Sequence, residues 1–201
     1  QQYRQLRIHT NRGILNVENR IKEEDAVFIE APLPFEKTQI PEIRDIAENL
    51  QIDINEINQD LPVSIINAGL TTLLIPIKNK ESVLSISPDL NTLKDFCIKS
   101  DIDIIEVFTD DVYDKDSCFR TRVFAPVFGY LEDPATGSGN SALGYYLLKN
   151  DLWNSDTIII EQNSSKDAYN IVKLRKQSKE ETIRVFFGGG AITRIDGQYI
   201  I

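Results

Sequence analysis

The sequence predicts an α+β fold, and three observations predict it. Strand-like runs outnumber helical ones by roughly ten to three, most neighbouring strands are joined by short turns, and the helices do not alternate with strands as a repeating βα chain requires. One helix stands apart. Residues 141–148, Ser-Ala-Leu-Gly-Tyr-Tyr-Leu-Leu, carry no charge before Lys149, and a helix apolar on nearly every face is a buried one.

In chain order, residues 3–9 and 14–17 read as strands around Thr10-Asn11-Arg12-Gly13, so the chain opens on a hairpin. Residues 26–30 form a third strand, stopped by Pro32 and Pro34. Pro41 stands where a helix can start, and Ile43, Ile46, Ala47 and Leu50 make its apolar stripe. Residues 63–66 form a strand, Asn67-Ala68-Gly69 a turn, and residues 73–77 a strand that Pro76 assigns to an edge or a bulge. Residues 83–86 alternate as a short strand, after which Ser87-Pro88-Asp89 supplies a cap and a first-turn proline to a helix with Leu90, Leu93 and Cys97 on one face.

Residues 102–108 are β-branched and read as a buried strand, and Asp110, Asp111, Asp114 and Asp116 follow in an acidic loop. That loop lacks the Gly and closing Glu of an EF-hand and reads as a solvated turn. Residues 122–125 are a strand ended by Pro126 and Gly129. Beyond the apolar helix, residues 157–161 are a strand and 162–167 a polar loop, and residues 171–174 and 183–187 pair around a charged turn. Gly188-Gly189-Gly190 allows a sharp redirection, and residues 191–195 and 199–201 close the chain as a hairpin about Asp196-Gly197.

Chemistry concentrates where the apolar helix begins, at Asp133-Pro134-Ala135-Thr136-Gly137-Ser138-Gly139-Asn140. The first backbone N–H groups of a helix have no partner within it and carry partial positive charge, so a carboxylate or phosphate settles there. Glycines let the anion approach, and Thr136 or Ser138 can cap a free N–H. The plain alternative is a Gly-rich turn with an ordinary cap.

These residues also carry a resemblance. Phe124-Ala125-Pro126 with Gly129, then Glu132-Asp133-Pro134-Ala135-Thr136-Gly137-Ser138, resembles the signature of the PhzF-like phenazine-biosynthesis family, which shares the diaminopimelate epimerase-like fold. Weaker similarities flank it at residues 10–17, Asn67-Ala68-Gly69, Glu161-Gln162 and Gly188-Gly189-Gly190-Ala191. The resemblance implies a mixed sheet curled around a central helix, in two domains facing across a cleft. Residues 1–32 and 188–201 would belong to the first domain and 33–187 form the second. It implies an isomerase that moves a proton on a small carboxylate-bearing molecule, without metal or organic cofactor. Asp133 would be catalytic, and the N–H groups of Gly137 and Ser138 would hold the carboxylate, with the Ser138 hydroxyl helping and Thr136 and Gly139 completing the loop. In that family the neighbourhood of Asn67 lies near the ligand cleft.

The family's main catalytic Glu and a second, Gly-His-containing motif belong to an amino-terminal half that this sequence does not show. The chain, which begins Gln1-Gln2 and contains no Met, is therefore expected to be a carboxyl-terminal portion that binds weakly and catalyses poorly or not at all. The face left by a missing domain would be apolar, and association with itself, as a homodimer, or with a partner is expected. Diaminopimelate epimerase itself fits less well, because its glycine-loop thiol has no counterpart at Asn140 and Ser141.

Two other classes compete. Gly137-Ser138-Gly139-Asn140-Ser141-Ala142 fits G-x-G-x-x-A with Glu161 about twenty residues on, as a dinucleotide site asks, but four residues separate the strand from the glycines. The other is a non-catalytic binding or assembly module. With 31 acidic against 22 basic residues and a net charge of −9, nucleic acid is an unfavourable partner. No apolar run has the length of a membrane span, and a cytoplasmic protein is expected. Cys97 and Cys118 are too few and too far apart for a metal site with the single His9, which reads as a structural strand residue.

Overall fold

The computed structural model describes residues 4–10, 13–179, 181–191 and 195–198. In chain order these form β1 (Gln5–Thr10), β2 (Gly13–Asn19), α1 (Ile21–Glu24), β3 (Val27–Glu30), β4 (Phe35–Lys37), α2 (Ile43–Leu50), β5 (Ser64–Asn67) and β6 (Thr71–Pro76). There follow α3 (Lys80–Ser85), α4 (Leu90–Lys99), β7 (Ile104–Thr109), β8 (Phe119–Phe124), β9 (Glu132–Asp133), α5 (Gly137–Lys149), β10 (Thr157–Gln162), β11 (Asn170–Lys179) and β12 (Thr182–Gly189).

One mixed sheet runs β1-β2-β3-β12-β11-β10-β8-β7-β6-β5-β4, with β9 added on β8. Two pairs are parallel, β6 with β7 and β8 with β10. Parallel neighbours need a crossover: α3 and α4 lie between β6 and β7, and α5 between β8 and β10. Helix α5 touches β5, β6 and β7 from one side of the strand order and β11 and β12 from the other, so the sheet curls around it. This is the α+β arrangement with a central helix that the sequence predicts.

Alternation along the strands splits the core in two. Leu74, Phe108, Phe119, Ile160, Leu174 and Val185 face α5, packing on Ala142, Leu143, Tyr146 and Leu147. Leu73, Ile75, Ile105, Val107 and Phe124 face the other way, against Ile46 and Leu50 of α2 and Leu93 and Cys97 of α4. Each such side chain, fully buried, contributes about 1.5–3 kcal/mol of hydrophobic stabilisation. Helix α5 thus sits as a rigid rod whose first turn is placed by core packing.

Several local expectations need correction. Residues 83–86 are not a strand: 83–85 end α3 and Ile86 follows as its C-cap, and Asn79 starts the helix by accepting the Ser82 N–H at 2.8 Å. Strand β6 lies inside the sheet between β5 and β7, not at an edge. Its proline is tolerated because the Ile77 N–H points to Phe108 on β7, so the Pro76 nitrogen faces the β5 side, where pairing has already stopped at Leu74 and Ser64. The cap of α4 is Asp89, accepting from Thr92 at 2.9 Å, and Pro88 stands outside the helix. Gly188 and Gly189 do not redirect the chain; they are the last residues of β12, and a Cβ on Gly188 would meet the Val27 carbonyl at 1.9 Å. The closing hairpin falls partly outside the described residues, and 195–198 are irregular.

Candidate active site

Asp133 is placed by an arginine. Strand β9 pairs with β8 through Val123 with Asp133 and Phe124 with Glu132. Arg122, nearly buried on β8, donates Nε and Nη2 to the two Glu132 carboxylate oxygens at 3.1 and 2.9 Å. Its Nη1 donates to the carbonyls of Val83, Leu84 and Ile86 at the end of α3, where cations suit the helix dipole. Arg122 therefore ties α3, β8 and β9 together next to Asp133. The Asp133 side chain is half-buried and accepts the Ala135 N–H at 3.3 Å.

Gln162, the fully buried last residue of β10, fixes the loop that follows. Its Oε1 accepts the Thr136 backbone N–H at 3.0 Å and Asn140 Nδ2 at 2.7 Å. Its Nε2 donates to the Asp133 carbonyl at 2.8 Å and to Thr136 Oγ1 at 3.2 Å. Asn140 Nδ2 also reaches back to the Thr136 carbonyl at 2.7 Å. Thr136 occupies the N-cap position with extended backbone, yet neither its hydroxyl nor that of Ser138 caps the helix; the Thr136 hydroxyl serves Gln162 instead.

The capping groups are therefore left open. The N–H groups of Gly137, Ser138 and Gly139 have no hydrogen-bond partner among the described residues, and Gly137 and Ser138 are only half-buried. Beneath them the fit is tight. A Cβ on Gly137 would lie 2.3 Å from the Phe187 ring, and one on Gly139 would lie 2.7 Å from Glu106 Oε2. The turn at Asn67 comes up beside Ser138, whose Oγ is 3.1 Å from the Cβ position of Gly69, a residue at φ +125° whose N–H is held by Asn67 Oδ1 at 3.1 Å.

The structure thus brings Thr136, Gly137, Ser138 and Gly139 together at one helix end, with Asp133 at its entrance tied to the same glutamine. It adds Gln162, Asn140, Arg122 and Glu106, which the sequence reading did not single out as site residues. Glu106 was detectable as an acid within an otherwise apolar strand. It is completely buried, and burial pushes its carboxyl well above the usual carboxylate range.

Other candidates fall away. Glu161, the acid a dinucleotide site would present to a ribose, is fully buried and taken: it pairs with Arg120 at 3.3 Å and accepts the N–H groups of Tyr113 and Asp114. Cys97 is enclosed in the core, where burial, with a smaller effect from Asp103, pushes its thiol up to about 12. His9 is exposed on β1. In the acidic loop Asp111 pairs with Lys80 at 2.7 Å, and among the described residues no group of three or more His, Cys, Asp and Glu could hold a metal ion.

A family described as phenazine biosynthesis-like protein, PhzC-PhzF, matches residues 2–197. Antisense-enhancing sequence 1 of Schizosaccharomyces pombe is 33% identical over 185 residues, covering 90% of this chain and 61% of that protein. A Bacillus subtilis protein named as an isomerase, YfhB, is 25% identical over 189 residues, covering 92% of this chain and 64% of its own length. The chain thus spans less than two thirds of these relatives. The crystal structure of a PhzF-family phenazine biosynthesis protein from Bacillus anthracis superposes with a TM-score of 0.82 at 20% identity, covering 94% of this chain and 66% of that one. A PhzF-family structure from Enterococcus faecalis gives 0.66 at 22% identity, with 99% and 66% covered. The match over residues 2–197 spans nearly the whole sequence, and the chain belongs to the PhzC-PhzF family.

Proposed function

We propose that the first turn of α5 binds the carboxylate of a small molecule and that the protein is an isomerase moving a proton on that molecule, with Asp133 assisting the transfer. The observation that carries this reading is the set of three open N–H groups at Gly137, Ser138 and Gly139, the first two on half-buried residues and the third on a buried one, held from behind by Gln162 and Asn140. Removing a proton from the carbon beside a carboxylate spreads negative charge onto that carboxylate. Fixed backbone donors at a helix end stabilise this charge without rearranging. Acid–base work of this kind asks for a carboxyl group and positioned donors rather than a metal or organic cofactor, and the reading takes the protein to be cytoplasmic.

The carboxylate-holding part is residues 33–187 in this reading. In this reading the 201-residue chain alone turns over weakly or not at all. The test is incorporation of solvent deuterium at carbon in a panel of small amino- and hydroxycarboxylates. Little or no incorporation is expected with this chain. Rapid incorporation that Asp133→Asn abolishes would support the isomerase and overturn the weak-turnover part.

A second reading, a non-catalytic assembly module, is favoured by one observation: Leu6 and Ile8 on β1 lie 42% and 47% exposed on the face they share with Leu15 and Val17. Light scattering decides it, since a monodisperse monomer at all concentrations contradicts self-association.

A further inference from the structure

The space under the first turn of α5 is filled by an acid with no visible partner. Glu106 is 0% exposed, neither of its carboxyl oxygens has a hydrogen-bond partner among the described residues, and Oε2 lies 2.7 Å from the Cβ position of Gly139. Two other buried polar atoms share this state. The Oδ1 of Asn140, the next residue on α5, and the Oγ1 of Thr121, on the α5 face of β8, are buried and unpartnered.

No charge explains the acid. Its register partners are Leu74 on β6 and Val123 on β8, with Ile104 of its own strand alongside and Gly139 of α5 above. The charged residues of β8, Arg120 and Arg122, alternate to the opposite face and are bound to Glu161 and Glu132. Lys149 ends α5 far along its axis, and Glu132 and Asp133 of β9 lie beyond Val123. An isolated carboxylate in such a place is strongly disfavoured, and the group responds by keeping its proton. A neutral carboxyl left without a partner there costs far less than an unpaired carboxylate.

We propose that Glu106 is a positioning residue for the carboxylate site: as a neutral acid it fills the space beneath Gly139 and keeps negative charge away from the N–H groups above it, so that the first turn of α5 can accept an anion. The inference rests on the carboxylate-binding reading of that turn. Ionised, Glu106 is itself the anion at the helix end, and it cancels the partial positive charge that a bound carboxylate uses. Glycine at 139 is the other half of the arrangement, since any side chain there would strike the carboxyl.

The test is a titration of the 201-residue protein with benzoate, followed through the amide resonances of Gly137, Ser138 and Gly139, at pH values rising from the ordinary carboxylate range. Wild type is expected to lose affinity on the order of tenfold as Glu106 ionises, while Glu106→Gln, neutral and isosteric, binds at the low-pH strength throughout. The carbon-13 resonance of the Glu106 carboxyl, read in the wild type alone, is expected to report ionisation over the same pH interval as the loss of binding. This arm needs no variant to fold. Parallel pH profiles in wild type and Glu106→Gln, or a Glu106 carboxyl already ionised while benzoate binds fully, overturn the role of Glu106 and leave the carboxylate site standing. Benzoate that moves none of the three amides in either protein at any pH overturns the carboxylate site, and the role of Glu106 with it.

Discussion

Gln162 Oε1 accepts a hydrogen bond from Asn140 Nδ2 at 2.7 Å, joining the end of β10 to the first turn of α5. The same amide holds the Thr136 N–H and the Asp133 carbonyl, so one buried side chain sets both the helix start and the entrance to it. Replacing Gln162 with Leu leaves several buried polar groups unsatisfied, each costing about 1–3 kcal/mol. The expected outcome is a loss of about 3 kcal/mol in urea unfolding, with faster hydrogen exchange at Thr136 than elsewhere in the core.

The glycines at 137 and 139 are required for space. Gly137→Ala drives a methyl into the Phe187 ring, and Gly139→Ala drives one into the Glu106 carboxyl and Ile104. Each is expected to destabilise by about 1–3 kcal/mol through overpacking, despite the better helix propensity of alanine. Thermal unfolding of the two variants checks this; a gain in stability at 139 contradicts the close approach of Glu106.

Arg120 and Glu161 are both 0% exposed and paired at 3.3 Å, with Arg120 also holding the Asn163 and Ser165 carbonyls. Removing either partner strands a buried charge and is expected to cost about 3–5 kcal/mol, whereas Arg120→Met with Glu161→Leu costs less than the sum of the single changes. A double-mutant cycle in denaturant measures the coupling.

Glu106 also imposes a pH dependence on stability. Unfolded, its carboxyl ionises near the ordinary 4.5; folded, burial holds it well above that value. Between these two limits the folded protein keeps a proton that the unfolded chain has lost, so stability falls as pH rises through the window, and below it the contribution is constant. Glu106→Gln is expected to flatten that part of the profile, as read by unfolding midpoints across pH.

Much of this was legible in the sequence because local chemistry and tertiary packing agree there. The charge-free run after Gly139 forecast a buried α5, and Asp133-Pro134 and the glycines marked where its first turn begins. Where they disagree the sequence misled. Residues 83–86 alternate like a strand, yet the Asn79 cap and the Arg122 contacts to their carbonyls make them a helix end. Pro76 signals an edge, but its missing N–H falls just past the end of β5 pairing. Gln162, Arg122 and Glu106 act on the site from β10, β8 and β7, and only the sheet order brings them to it. Glu161 carried a dinucleotide signal until its partner Arg120, distant in sequence, was in place.

The central claim is that the first turn of α5 recognises a carboxylate through its backbone. The most direct measurement is a comparison of benzoate with benzamide, which keeps the shape and removes the charge, by amide resonance shifts in the 201-residue protein. The account predicts saturable shifts at Gly137, Ser138 and Gly139 with benzoate and not with benzamide. Equal shifts with both, or shifts with benzoate only elsewhere on the protein, would contradict it.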